Sequence, residues 1–261
     1  MEWFFNFPDM SRSDLREFKK TVDFAFTDFS RSYGAEIEGF FEPLLMFLVW
    51  FEKFFINTPW PLIIFGILVL AWIGSRSIPV VIGTFLSFML IGYFGMWEDT
   101  MSTLAIILVA TFLCISIGIP MGIAMARSNK VQAVIVPILD VMQTIPSFVY
   151  LIPVVMLLGI GKVPGLIAVC IYAIPPIVRL TNLGIRLVDK DVLEAADSFG
   201  ANYWQKLFGV QMPLALPTIF AGVNQTIMMA LAMVVIASMI GTRGIGDEVL
   251  LGLQQLNVGM A

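Results

Sequence analysis

Residues 191–217, DVLEAADSFGANYWQKLFGVQMPLALP, are the stretch from which the rest of the chain is best read. Asp191 stands three residues before Glu194, the spacing of a helix N-cap and its reciprocal acceptor, and Asn202 stands in the same relation to Gln205. Two short helices are predicted. Gly200 falls between them, where a helix-ending residue must take a positive φ at low cost. Ala196 and Gly200 are four apart and share a helical face, small enough for another surface to approach the backbone. Pro213 and Pro217 punctuate the start of the next segment. Helices of about ten residues are marginal alone in water, so this pair must dock on something.

Around this loop the chain is apolar. Of its 261 residues, 59% are hydrophobic and 13% charged, with a mean hydropathy of +0.91. A soluble domain carries about a quarter charged residues, so this chain has too little polar surface to cover a water-facing globule and belongs in a bilayer. A hydrocarbon core about 30 Å thick needs roughly 20 apolar residues per helix. Six runs come near that: Pro59–Gly74, Ile78–Trp97, Met101–Ala126, Val131–Ile160, Val163–Val178 and Pro213–Gly241. The first and fifth are short. The fourth is interrupted by Asp140, Gln143 and Pro146, which predicts a bent helix or a helix pair. Phe40–Ile56 is rich in aromatics but holds Glu42, Glu52 and Lys53, and it fits an amphipathic helix lying in the interface. The expected fold class is an all-α, polytopic helical membrane protein.

Charge and rare residues narrow the chemistry. There is no histidine, which removes histidine triads and His-liganded zinc; no metal site is expected. Cys114 and Cys170 each sit inside an apolar run and read as small buried hydrophobes. Residues 1–43 hold five basic and nine acidic side chains, a deficit equal to the net charge of −4 for the whole chain. The opening MEWFFNFPDM lacks the basic and uninterrupted apolar regions of a signal peptide and reads as an extramembrane tail. After Lys53, alternate loops sort into a set with Arg76, Arg127, Lys130, Arg179, Arg186, Lys190 and Lys206, and a set with Lys162 and Arg243. The positive-inside tendency places the first set, with the loop at 191–217, in the cytoplasm and the tail on the far side. Gly161-Lys162 lacks the upstream glycine and the following Ser or Thr of a P-loop. ATP hydrolysis is not expected on this chain, nor is a nucleic-acid partner.

Glu194-Ala195-Ala196, three residues, Gly200, nine residues, Val210, one residue and Met212-Pro213 reproduce the EAA-loop pattern of ABC importer permeases, which this chain resembles. The segments 137–165, 172–186 and 221–241 are similar to the permeases of glycine betaine, proline betaine and choline importers, most specifically from Glu98 to Ala261. The resemblance implies a type I ABC importer permease fold. It divides the chain into a tail and interfacial helix (1–58), two accessory transmembrane helices (59–97) and a permease core (98–261) with its coupling loop at about 189–213. It also implies one more membrane helix after residues 244–261, GIGDEVLLGLQQLNVGMA, so the sequence is expected to lack the last helix of that fold. The implied activity is transport, not catalysis: the membrane-spanning subunit of an ATP-driven importer of a quaternary amine in the bacterial inner membrane. Its implied partners are a cytoplasmic ATPase that holds ATP and Mg, an extracytoplasmic substrate-binding protein, a second permease copy and membrane lipid. No cofactor is expected on the chain itself.

Glu194, Ala195, Ala196, Gly200, Val210 and Pro213 are the residues the resemblance assigns to ATPase coupling. Asp140 lies in an apolar run, where an ionised carboxylate is expensive; it reads as a pathway group or as a structural one partnered by Gln143. Asn224 and Gln225 either glue helices together or line the pathway. Gly118 and Gly122 have the small-xxx-small spacing of a close helix contact. A quaternary ammonium is held by aromatic faces; Phe148 and Tyr150, beside Pro146, are candidates for the path, while Trp60 and Trp97 read as interfacial belt residues. The rival is an ion-coupled secondary transporter of small zwitterions, for which Asp140 is the one acidic residue well inside a span.

Overall fold

The structure, a computed structural model, describes residues 10–256, and every regular element among them is helical. Helix α1 (Arg12–Asn57) starts where the Ser11 hydroxyl accepts the Asp14 N–H at 3.2 Å. It begins far upstream of Phe40, because Leu15, Phe18, Val22, Phe26, Phe29, Tyr33 and Ile37 recur at helical spacing, a pattern that an average over the intervening charges conceals. The expected interfacial segment Phe40–Ile56 is thus the last part of one 46-residue helix with Pro43 inside it. Helix α2 (Trp60–Ser75) leaves at 104° to α1, and α3 (Ile78–Tyr93) returns beside it.

Helix α4 (Trp97–Arg127) is followed by α5 (Asn129–Thr144) and α6 (Ser147–Leu158), which meet at 95°. The break falls at Ile145-Pro146, as the interrupted fourth run predicts. Helix α7 (Lys162–Arg186) spans 25 residues and corrects the short fifth run. Hydropathy ends that run at Val178, but Arg179 is ion-paired with Asp140 and Arg186 bonds to Asn182, so these partners let the polar residues continue the helix. Beyond it lie α8 (Lys190–Ser198), α9 (Tyr203–Lys206), α10 (Met212–Ala237) and α11 (Ile245–Gln254).

By length and composition, three helical stretches suffice to cross a membrane, or up to five when each bent pair counts as one span. The sequence runs suggest six. Five spans leave out α3, which at 16 residues reaches only about 24 Å; three also leave out α2, of the same length, and the bent pair of α5 and α6.

The core is α7 packed along α4 and α10. Gly118 and Gly122 face α7, and a β-carbon at Gly122 would stand 2.5 Å from Thr181 Cβ, so the expected close contact exists and its partner is α7. Both cysteines lie in the same seam, with Cys114 Sγ 3.7 Å from the Cys170 carbonyl; both are free. Helix α1 is fastened to this core by Glu52, only 6% exposed, which accepts from Lys162 at the start of α7 and from the Ser102 hydroxyl of α4 at 2.8 Å. Glu52 is therefore a core residue, although within Phe40–Ile56 it reads as an interfacial charge.

Candidate functional site

The loop is built from its caps. Asp189, not Asp191, caps α8: its carboxylate accepts the Asp191 N–H at 2.9 Å, and Asp191 falls in the first turn, where its charge suits the helix dipole. The helix ends in a Schellman motif, with Gly200 N–H donating to Asp197 O at 2.9 Å and Ala201 N–H to Ala196 O at 3.1 Å. Gly200 takes φ +76°, as its place between the helices demands. Asn202 and Gln205 form the predicted reciprocal cap, at 2.9 Å and 2.8 Å.

The second helix is not a free one. After four residues α9 widens into a π turn at Leu207–Gln211 and continues into α10, so Tyr203–Ile240 is one helical stretch of 38 residues. The π turn directly precedes Pro213, which has no N–H to give a regular turn. Val210 and Pro213 therefore belong to this stretch, while Glu194, Ala195 and Ala196 lie on α8, with Gly200 at its end. The two parts are clamped together: Lys206 Nζ donates to both carboxylate oxygens of Asp197, at 2.6 and 2.8 Å.

The loop rests on the end of α4. The Arg127 guanidinium lies 3.8 Å above the Tyr203 ring and 5.7 Å from that of Trp204, which stacks on Phe208 at 5.8 Å. Arg186 of α7 donates to Asn182 Oδ1 at 2.9 Å and to the Met125 carbonyl of α4 at 2.8 Å. Away from this base the loop is open. Glu194 and Ala195 are exposed, and the Glu194 side chain makes no hydrogen bond or ion pair among the described residues. Phe199 is 92% exposed, and Trp204 and Phe208 are exposed beside it. A free carboxylate on a short capped helix, flanked by uncovered aromatic rings, has the chemistry of a protein-docking surface.

The other candidates do not converge. Asp140 is paired with Arg179, not Gln143, and Gln143 is exposed. Asn224 and Gln225 are exposed on α10 and make no hydrogen bond to another helix among the described residues, while Thr226 next to them is buried. Phe148 is exposed, whereas Tyr150 packs on the core; two residues apart on α6, they point to different sides. Trp60 and Trp97 join Phe88 and Tyr93 around a cavity of about 620 Å³. Among the described residues no group of three or more His, Cys, Asp or Glu side chains could hold a metal ion.

Sequence reading misses Arg127, Glu52 with Lys162, and Arg179 with Asp140. A charge embedded in an apolar run is the available signal for the buried pair, but nothing in the sequence pairs Arg127 with Tyr203.

The sequence pattern of the family described as "Binding-protein-dependent transport system inner membrane component" matches residues 118–261. The chain is 49% identical over 224 residues to the glycine betaine/proline betaine transport system permease protein ProW of Escherichia coli (strain K12), covering 86% of this chain and 63% of that protein. It is 46% identical over 203 residues to the glycine betaine/carnitine transport permease protein GbuB of Listeria monocytogenes serotype 1/2a (strain 10403S), covering 77% of this chain and 72% of that one. The chain thus spans less than two thirds of the E. coli protein's length. In fold it is similar to a chain of the MetNI methionine ABC transporter in an inward-facing conformation, with a TM-score of 0.54 at 21% identity over 61% of this chain and 79% of that chain. The all-α permease architecture expected above is the one found.

Proposed function

Because the chain belongs to the family of binding-protein-dependent transport system inner membrane components, we propose that it is the permease subunit of an ATP-driven importer of quaternary amines of the glycine betaine, proline betaine or choline type. The observation that carries this reading is the exposed α8, capped at both ends and joined through α9 to the start of α10. Glu194, Ala195, Ala196 and Gly200 form the seat for a separate ATPase subunit, which holds ATP and Mg; Val210 and Pro213 lie where the seat becomes the span. The names of the relatives support the substrate class.

In this reading two copies of the permease enclose a path, each loop seated on one ATPase copy. Closure of the ATPases on ATP moves the loops and shifts the spans between inward-open and outward-open arrangements. An extracytoplasmic protein delivers the substrate, and the chain makes and breaks no bonds. Helix α1 stands at 104° to α2, so with α2 crossing the bilayer α1 runs near the membrane plane. That arrangement supports an interfacial helix against lipid, and the Lys and Arg distribution supports a tail outside. The ion-coupled alternative is weaker, because Asp140 is already neutralised by Arg179.

The test is uptake by the complete complex in vesicles. Uptake follows ATP and persists when a protonophore dissipates the proton gradient; uptake that collapses with the gradient at constant ATP favours the ion-coupled reading. Gly200→Asp sharpens the result. Asp is among the few side chains that tolerate a positive φ, and a β-carbon at Gly200 meets nothing within 4 Å. The variant therefore reaches the membrane at normal level while losing ATP-driven uptake. Unchanged uptake together with unchanged ATPase co-purification would count decisively against the seat.

A further inference from the structure

We infer that Arg127, the last residue of α4, is a positioning residue that binds the coupling loop to α4 by stacking, so that movement of the loop is passed to that span as well as to α10. The inference rests on the loop acting as the ATPase seat. Helix α10 needs no device for this, since it continues from α9 through the π turn. Helix α4 does need one, because it ends far upstream in the chain and meets the loop only in space.

The geometry supplies the device. The Arg127 guanidinium lies 3.8 Å over the Tyr203 ring and within 5.7 Å of Trp204, so it covers the first turn of α9. A planar guanidinium stacks on ring faces in a way that a lysine ammonium does not. The Tyr203 hydroxyl is buried and has no hydrogen-bond partner among the described residues, so the ring is what the contact uses. Arg127 makes no ion pair among the described residues, and Asp197 of the loop is taken by Lys206. Arg186 closes the cluster from α7 by holding the Met125 carbonyl, two residues before the end of α4. The loop, α4 and α7 are thereby joined at one point. No comparable contact ties α8 itself to α4 among the described residues.

The experiment uses the complete complex in proteoliposomes and reads substrate taken up per ATP hydrolysed, with co-purification of the ATPase as a separate measurement. Arg127→Ala lowers uptake per ATP by about two- to five-fold, the value of an exposed cation–π contact, while the ATPase still co-purifies. Arg127→Lys recovers only part of this loss, because an ammonium keeps the cation–π attraction but not the stacking of a flat guanidinium. Tyr203→Leu gives the same loss, Tyr203→Phe restores coupling by keeping the ring, and the double variant Arg127→Ala/Tyr203→Leu is no worse than either single one. Wild-type uptake per ATP in Arg127→Ala or Arg127→Lys, or independent losses that multiply in the double variant, would overturn the inference. If Arg127→Ala does not reach the membrane, the comparison of Tyr203→Leu with Tyr203→Phe decides: equal coupling in the two overturns it. Absence of ATPase from the wild-type preparation would instead bring down the reading of the loop as a seat.

Discussion

Glu52 shows what a single residue does to the architecture. Its carboxylate is nearly buried and receives both the Lys162 ammonium and the Ser102 hydroxyl, so it joins α1, α4 and α7 at one point. Removing one partner of a buried pair leaves the other charge desolvated and unpaired. Glu52→Ala is expected to destabilise the protein by about 3 kcal/mol, the low end for such pairs because Lys162 keeps 24% of its side-chain exposure. Glu52→Gln, which still accepts from Ser102, loses less. Thermal unfolding of the wild type and the two variants in detergent tests this: a Glu52→Gln midpoint equal to that of the wild type would mean that the charge contributes nothing.

At the scale of elements, the loop depends on its caps. The α9 segment has four residues of its own, and Asn202 with Gln205 satisfies the N–H groups that its first turn leaves open. Asn202→Ala should cost about 1 kcal/mol, visible as faster hydrogen exchange at the Gln205 amide with the spans unaffected. Much of this element was legible in the sequence: the Asn202–Gln205 spacing and the glycine at the helix end each encode a local backbone requirement. Spacing alone favours Asp191 as the cap, because it does not distinguish Asp191 from Asp189, two residues earlier, which satisfies the same preference. The continuity of the second helix with α10 is not legible, since a π turn leaves no compositional trace. Hydropathy likewise ends α7 at Arg179, because it registers a charge but not the partner that neutralises it. The contact of Arg127 with Tyr203 is fixed by tertiary packing and so lies outside any local pattern.

At the scale of the whole molecule, the orientation rests on Lys and Arg distribution and on the loop's proposed seat. It predicts that Phe199→Cys is modified by a membrane-impermeant thiol reagent only from the cytoplasmic side. Tyr93→Cys, at a position 86% exposed at the end of α3, is modified only from outside. The native thiols give little background, since Cys114 is fully buried and Cys170 lies in the same α4–α7 seam. Modification of both positions from one side would remove a span, and modification of each from the side opposite to the one stated would invert the topology. The same bundle explains why the six apolar runs do not translate into six equal spans: α2 and α3 are held at the edge, against each other, and contribute little to the α4–α7–α10 core.

The continuous helix from Tyr203 to Ile240 has a mechanical consequence. Its far end touches the opposite rim of the protein, where the Ile240 carbonyl accepts the Gly161 N–H at 3.0 Å. A stiff rod that leans on α7 along its middle behaves like a seesaw: a push at one tip swings the other tip the opposite way. Widening at one rim and narrowing at the other then come from a single rotation, with no relay of side chains through the interior.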